Sequence, residues 1–172
     1  AGPRSRVAPG PGPARDRGPQ PFRVLLIGAG AVGLGIASCL HKAGARVDLV
    51  VRPATATALL ERGLVRTGVL GEHRVPAAAM VVGLERAVDA GAAAAGALDA
   101  AAPGAAPAVP VRLHASLGAV PPAAYELALV CVKSFDSEAV AAELSGAPAL
   151  RERLGGLALL QNGYGNGEVF AG

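Results

Sequence analysis

A glycine-rich turn between two regular segments constrains the fold of this chain more than any other feature. The stretch IGAGAVG places Gly28, Gly30 and Gly33 at G-x-G-x-x-G spacing, directly after the apolar run FRVLLIG. The apolar run predicts a buried strand, and the following AVGLGIASCLHKAG has helical periodicity with Gly44 at its expected end. A second predicted strand, ARVDLVV, comes next. This order predicts a parallel βαβ unit, the opening of an α/β fold.

Each glycine of this turn has a separate physical task in such a unit. Gly28 would make the tight turn, Gly30 would let the backbone approach a pyrophosphate, and Gly33 would let the helix and the sheet touch. The start of the helix would offer unpaired N–H groups and a positive partial charge to the phosphates. The expected phosphate loop consists of Gly28, Ala29, Gly30, Ala31, Val32 and Gly33. The alternative is a glycine-rich packing turn that binds no ligand.

The remainder of the chain continues the alternation of strands and helices. PATATALLERG predicts a helix ended by Gly63, whereas LVRTGVL and HRVPAAAM predict a small antiparallel excursion. Later segments predict a buried strand YELALVCVK, a helix SEAVAAELS and a buried strand GLALLQ. The fold class is therefore predicted as α/β, a Rossmann-like, mostly parallel sheet with helices on both faces.

Two segments lie outside this pattern. Residues 1–21 are rich in Pro, Gly and Arg and hold few apolar side chains, so we expect a disordered tail. A role of this tail in organelle targeting stays open. Residues 86–110, rich in Ala, Gly and Pro, predict a low-complexity insertion in the domain 22–172. An alanine-rich helix over residues 86–102 is the alternative.

The charge of the chain is concentrated in its first residues. The net charge is +3, and residues 1–20 hold four arginines against one aspartate, which accounts for the whole excess. The body of the domain is therefore neutral overall and has no excess charge for a phosphate backbone. We expect no nucleic-acid partner.

The cysteines and histidines indicate neither a disulfide framework nor a metal site. Cys39 and Cys131 lie in apolar segments and are interpreted as small buried residues in a reducing compartment, which favours the cytoplasm. His41, His73 and His114 are scattered without metal-ligand spacing and are interpreted as ordinary polar residues.

The uncharged run from Val24 to Leu40 also has a competing interpretation, as a bacterial lipoprotein signal around Cys39. Its glycines suit a loop better than an apolar signal core. Cleavage before Cys39 would remove the first strand and leave the later apolar strands without their partner. We therefore expect no membrane segment.

The end of the second predicted strand indicates which dinucleotide would bind. In this fold an acid at that position holds the ribose 2′-hydroxyl of NAD. Asp48 is the tempting candidate but lies mid-strand, and the strand ends at Val51 and Arg52. The Arg52 guanidinium could pair with a 2′-phosphate through two parallel hydrogen bonds. This favours NADP(H) over NAD(H), the alternative being a solvated surface arginine.

Three motifs in one order give the chain a family resemblance: IGAGAVG with Arg52 after the second strand, CVKSFD, and QNGYGNGE. Together they resemble the N-terminal NADP-binding domain of ketopantoate reductase (2-dehydropantoate 2-reductase) over residues 22–172. The resemblance implies NADPH-dependent reduction of the keto acid 2-dehydropantoate to pantoate, in pantothenate and coenzyme A biosynthesis. It also implies that Lys133 lies at the cofactor site and that Asn162 lies beside nicotinamide and substrate. The alternatives are a snorkelling strand-end lysine and a turn asparagine.

The resemblance also implies a second, helical domain, which supplies the lysine that protonates the keto oxygen. The chain is expected to be an N-terminal fragment without that domain, inactive alone and able to form a homodimer only together with it. Two alternatives stay open. One is a stand-alone NADP(H)-binding module or pseudoenzyme, and the other is a related reductase of another small keto acid.

Overall fold

The computed structural model describes residues 21–83, 109–162 and 165–171. The expected tail 1–21 (except Pro21) and nearly all of the expected insertion 86–110 lie outside these residues. The strands are β1 Arg23–Ile27, β2 Arg46–Val50, β3 Leu64–Arg66, β4 His73–Val75, β5 Met80–Val82, β6 Val111–His114, β7 Leu127–Val130 and β8 Leu157–Leu159. The helices are α1 Ala31–Lys42, α2 Pro53–Arg62, α3 Ser137–Ser145, α4 Pro148–Arg151 and α5 Asn166–Ala171.

Six of the strands form one sheet, in the order β5-β6-β2-β1-β7-β8. Every pair of neighbours within it is parallel. The chain leaves β1 towards β2 on one side and returns on the other side as β7. The carboxyl ends of β1 and β7 therefore form a topological switch point, where sheets of this kind bind ligands. The predicted Rossmann-like α/β fold is confirmed.

Helices cover both faces of the sheet because successive side chains of each strand point to opposite sides. On one face, Val24 and Leu26 of β1 pack with Ala37 of α1. On the other face, Leu25 and Ile27 belong to the same core as residues of α3. Strands covered on both faces are apolar throughout, which is why the sequence of β1 is a continuous apolar run after Arg23.

The helices that follow β1 and β2 begin and end as their sequences indicate. Helix α1 begins after Gly30 and ends at Lys42, with Ala43 as its C-cap, and the next residue, Gly44, has a φ of +80°. Helix α2 has Pro53 in its first turn, where the missing N–H costs nothing. Gly63, with a φ of +70°, ends α2.

The region after α2 differs in part from its prediction. Strands β3 and β4 form the expected antiparallel pair, with Leu64 opposite Val75. The predicted segment HRVPAAAM is not one strand, however. Pro76 has no N–H for the ladder and precedes a 3-10 turn over Ala77–Ala79, after which Met80 begins β5 of the large sheet.

Two further strands differ from the prediction: one was not predicted at all, and the other lies at a different place in the sheet. Strand β6, which lies between β5 and β2, was not predicted. Strand β8 was predicted as buried but is the edge strand of the sheet, and Leu157 is 39% exposed. An apolar run of three or four residues predicts a strand, but it does not distinguish a central strand from an edge strand.

Candidate functional site

A cleft of about 440 Å³ opens at the carboxyl edge of the sheet, over the switch point. Its walls come from the segments that follow four strands of the large sheet. The lining includes Gly28, Ala29 and Gly30 after β1, Val51, Arg52 and Pro53 at the end of β2, Ala115, Ser116 and Leu117 after β6, and Cys131, Val132 and Lys133 after β7.

The three glycines after β1 occupy three different environments. Gly28 has a φ of +105°, and a Cβ there would lie 2.9 Å from the main-chain nitrogen of Val132. A Cβ on Gly33 would overlap the carbonyl oxygen of Gly28, so only glycine lets α1 approach the turn this closely. A Cβ on Gly30 would meet no atom within 4 Å. Gly30 therefore faces open space at the cleft, where a ligand can approach the backbone.

The start of α1 leaves main-chain donors free at the cleft. Gly30 precedes the helix in extended conformation, no side chain of the described residues caps the helix, and its first turn contains no acidic residue. The first regular helical hydrogen bond runs from the N–H of Leu34 to the oxygen of Gly30, at 2.9 Å. The preceding N–H groups of Ala31, Val32 and Gly33 thus lack intrahelical acceptors, and they lie at the positive end of the helix dipole.

Arg52 lies where β2 passes into α2, and its side chain is 79% exposed. Its Nη2 donates to Oδ2 of Asp136 at 3.1 Å. Asp136 belongs to the 3-10 turn Ser134–Asp136, which follows β7, so this ion pair joins the segments after two strands that flank β1. The preceding residue, Val51, is buried at 4% exposure. No carboxylate therefore occupies the strand-end position of β2.

Lys133 and Asn162 lie near one another but are placed differently. Lys133 lines the cleft, is exposed, and holds its Nζ 5.8 Å from the ring centroid of Phe135. Asn162 follows β8 and is exposed, and its carbonyl oxygen accepts a hydrogen bond from Ser134 Oγ at 2.6 Å. The segment after β8 is thereby tied to the residue next to Lys133. Asn162 is not itself among the residues that line the cleft.

A buried polar cluster beneath one wall of the cleft was not foreseen. Asp48 of β2 has no exposed surface, and its carboxylate accepts from His114 Nε2 at 2.8 Å and from Arg23 Nε at 2.9 Å. Burial alone would raise the pKa of Asp48, but the hydrogen bonds from His114 and Arg23 outweigh it and lower that pKa. The interpretation of His114 as an ordinary polar residue was wrong, because its side chain is buried and paired.

A main-chain carbonyl group connects the same cluster to a turn at the wall of the cleft. Nδ1 of His114 lies 3.1 Å from the carbonyl oxygen of Ala119, in the 3-10 turn Leu117–Ala119. Leu117 of that turn lines the cleft. A signal for this cluster was present in the sequence: an aspartate inside an apolar strand must have buried partners, because an unpaired buried charge is costly.

The remaining histidines and the cysteines lie in partly buried surroundings. His41 Nδ1 of α1 is 3.0 Å from His73 Nε2 of β4, so these two residues form a pair. Burial, and then the neighbouring His73, lower the pKa of His41. Cys39 and Cys131 are free and only half-buried, and burial raises the pKa of Cys131 to about 11. Within the described parts of the chain, no three His, Cys, Asp or Glu side chains cluster as a metal site would require.

Within residues 21–83, 109–162 and 165–171, none of the helices has the length and apolar character needed to cross a bilayer.

Comparison with known proteins identifies one family. A family model described as "Ketopantoate reductase PanE/ApbA" matches residues 24–172. The comparison with curated proteins gives no match. Among solved structures, the chain is similar to 2-dehydropantoate 2-reductase from Methylococcus capsulatus, with 19% sequence identity and a TM-score of 0.45. This similarity covers 83% of the present chain and 34% of that protein, so the chain spans about a third of its length.

Proposed function

The chain belongs to the ketopantoate reductase family, and we propose that its cleft binds NADP(H) for the reduction of a small 2-keto acid. The single observation that carries the proposal is the meeting of two features at one cleft. The open glycine turn at the start of α1 lies on one side, and the exposed guanidinium of Arg52 lies at the end of the neighbouring strand. A pyrophosphate and a 2′-phosphate need donors at these two relative places.

The phosphate loop 28–33 fits a pyrophosphate. The open space at Gly30 allows the closest approach of an anion to the main chain. The unpaired amides of Ala31, Val32 and Gly33 would donate to phosphate oxygens, assisted by the helix dipole. Close packing of Gly33 on Gly28 keeps these donors in fixed positions, so little ordering is required when the ligand binds.

Arg52 supports NADP(H) rather than NAD(H). Its planar guanidinium can pair with a 2′-phosphate through two parallel hydrogen bonds. The buried Val51 before it offers no acceptor to a ribose 2′-hydroxyl. Asp48, the nearest acid in β2, is occupied by His114 and Arg23 in the interior and is therefore unsuited to that task.

We assign the remaining roles at the carboxyl edge from the family resemblance. Lys133 would contact the cofactor from the segment after β7, where it lines the cleft. The side-chain amide of Asn162 would orient the carbonyl of the substrate next to the nicotinamide, which supplies the hydride when bound. The hydrogen bond from Ser134 to Asn162 supports this assignment, because it links the two segments that would carry these roles.

We propose 2-dehydropantoate as the substrate and pantoate as the product, on the route to pantothenate and coenzyme A. Reduction places negative charge on the keto oxygen, so a positioned proton donor is required. We assign that general acid to no described residue and, from the resemblance, place it in a second, helical domain of the family. A homodimer would likewise require that domain.

The cofactor assignment is tested by calorimetric titration of the chain with NADPH and with NADH. Replacing Arg52→Ala should weaken NADPH binding by about 1.5–3 kcal/mol, the usual contribution of a hydrogen bond to a charged group, and NADH binding little. Arg62→Ala is the matched control. Arg52 immediately precedes α2, and Arg62 is an exposed arginine in the last turn of that helix. Equal affinities of the unaltered chain for NADPH and NADH would contradict the assignment.

A second assay addresses the reaction. The chain is mixed with NADPH and ketopantoate, or with another small 2-keto acid, and oxidation of the nicotinamide is followed by its absorbance. Binding of NADPH without oxidation is the expected result, because we place the general acid in a second domain. Steady oxidation would contradict that placement, and the keto acid that supports it would identify the substrate.

A further inference from the structure

The pairing of Arg52 with Asp136 has a consequence for cofactor choice. We propose that Asp136 is a specificity-determining residue, which competes with the 2′-phosphate of NADP(H) for the guanidinium of Arg52. This inference rests on the proposed function, because it presumes that Arg52 binds that phosphate. It adds to the site a residue that lowers the affinity for NADPH and leaves the affinity for NADH unchanged.

The carboxylate of Asp136 points to Arg52 and does not cap its own helix. Asp136 immediately precedes α3, the position at which an aspartate usually accepts a hydrogen bond from the first turn of its own helix. Its carboxylate makes no such capping bond. Instead, Oδ2 accepts from Arg52 Nη2 at 3.1 Å, across 84 positions of sequence. The carboxylate therefore binds the guanidinium at the cleft and not the main-chain N–H groups of its own helix.

The ion pair lies at the place where the cofactor is proposed to bind. Both Arg52 and Asp136 line the same cleft as the phosphate loop. A guanidinium presents five N–H donors in a planar fork, and a 2′-phosphate uses two of them in a bidentate arrangement. Because Nη2 is engaged by Asp136, the phosphate must displace the carboxylate or accept a poorer set of donors.

The exposure of the pair sets the size of the effect. The side chains of Arg52 and Asp136 are 79% and 32% exposed, so solvent weakens their attraction. Ion pairs of this kind contribute little, and their loss changes an equilibrium by about two- to fivefold. The competition is therefore weak enough for a 2′-phosphate to displace Asp136. When the cofactor leaves, the carboxylate is positioned to bind Arg52 again.

The test is Asp136→Asn, which keeps the shape of the side chain and removes its charge. We expect the NADPH dissociation constant to fall by about two- to fivefold and the NADH constant to change less than about twofold. Glu138→Gln is the matched control, since Glu138 is an exposed acid in the first turn of α3 and lies outside the cleft lining. The control should leave both constants unchanged.

A double-mutant cycle separates competition from direct repulsion. In an Arg52→Ala background, Asp136→Asn should no longer affect NADPH binding, because no guanidinium remains to compete for. An effect that persists there would overturn the proposal, since Asp136 would then act on the phosphate itself. A weaker NADPH affinity of Asp136→Asn would also overturn it, because the carboxylate would then be positioning Arg52 for the phosphate.

The failure of this inference differs from the failure of the proposed function. If the unaltered chain prefers NADPH and Arg52→Ala removes the preference, but Asp136→Asn has no effect, only the role of Asp136 is overturned. If the unaltered chain binds both cofactors equally and Arg52→Ala changes neither, the assignment of Arg52 and the competition are overturned together.

Discussion

The imidazole of His114 and the carboxylate of Asp48 meet at 2.8 Å inside the sheet, and neither side chain has any exposed surface. The second ring nitrogen lies 3.1 Å from the carbonyl oxygen of Ala119. The imidazole ring therefore lies between the carboxylate of β2 and the carbonyl oxygen of the turn Leu117–Ala119. His114 thereby fixes a turn at the wall of the cleft to the central strand β2.

Replacing Asp48→Asn should destabilise the fold by about 3–5 kcal/mol. The amide keeps one acceptor but removes the negative charge beside Arg23, whose side chain is only 18% exposed. The free energy of unfolding, measured in urea, provides the test. Glu61→Gln removes the same charge from the exposed face of α2 and should change stability by less than about 0.5 kcal/mol. A similarly small effect of Asp48→Asn would refute the structural role of the cluster.

Mild acid should destabilise the protein through His41. Burial and the neighbouring His73 lower the pKa of His41, so the unfolded chain takes up a proton at a higher pH than the folded chain does. The free energy of unfolding should therefore decrease as the pH falls through the ordinary histidine value of about 6.5, and level off below the lowered pKa.

Urea titrations between pH 7.5 and pH 5 would measure this dependence, and His41→Asn should make it shallower. The lowered pKa of Asp48 acts in a separate window, since its contribution is present above the ordinary aspartate value and is lost only at stronger acidity. An unchanged slope in His41→Asn would show that the pair with His73 does not cause the dependence.

Replacement by alanine should change the stability in opposite directions at two glycines of α1. In a helix, Gly→Ala normally stabilises by about 0.5–1 kcal/mol. A Cβ at Gly35 meets nothing within 4 Å, so Gly35→Ala should show this gain. A Cβ at Gly33 would overlap the oxygen of Gly28, so Gly33→Ala should destabilise by about 1–3 kcal/mol. Thermal unfolding of both variants compares them directly, and the same sign for both would contradict the close packing.

The thiol of Cys131 should be unreactive at neutral pH. Burial raises its pKa to about 11, so thiolate, the reactive form, is scarce. The sequence contains two cysteines, so Cys39→Ser leaves Cys131 as the single target. Its alkylation rate should rise about tenfold per pH unit between pH 7 and pH 9.5, whereas that of a small free thiol levels off near pH 9. A plateau for Cys131 below pH 9 would contradict the raised pKa.

The placement of several site residues could be predicted because parallel strands bring their carboxyl ends to one edge. Gly28, Arg52 and Lys133 follow three different strands and line one cleft, as their sequence positions indicate. The roles assigned to them as cofactor ligands stay predictions. Asn162 follows the same rule only in part, since its main chain contacts the segment after β7 but its side chain is outside the lining.

The pairings across the sheet could not be predicted from the sequence. Strand β6 has the sequence VRLH, in which polar and apolar residues alternate over only four positions, too short for a clear strand signal. Without β6, the register that brings His114 beside β2 is unknown. The distance from Arg52 to Asp136 depends likewise on tertiary packing between residues 84 positions apart.

The central position of β1 also determines when the cleft can form. Its partner β2 follows after a single helix. Its other partner, β7, comes much later in the sequence, and the hydrogen bond between Arg23 of β1 and Glu126, the residue before β7, joins positions 103 apart. Closing so long a loop is entropically costly and slow. A nascent chain that has emerged only as far as β5 carries the glycine turn without the opposing wall of Cys131 and Val132. A ligand of this cleft, such as the proposed cofactor, can therefore assist only the late steps of folding, after β7 has left the ribosome.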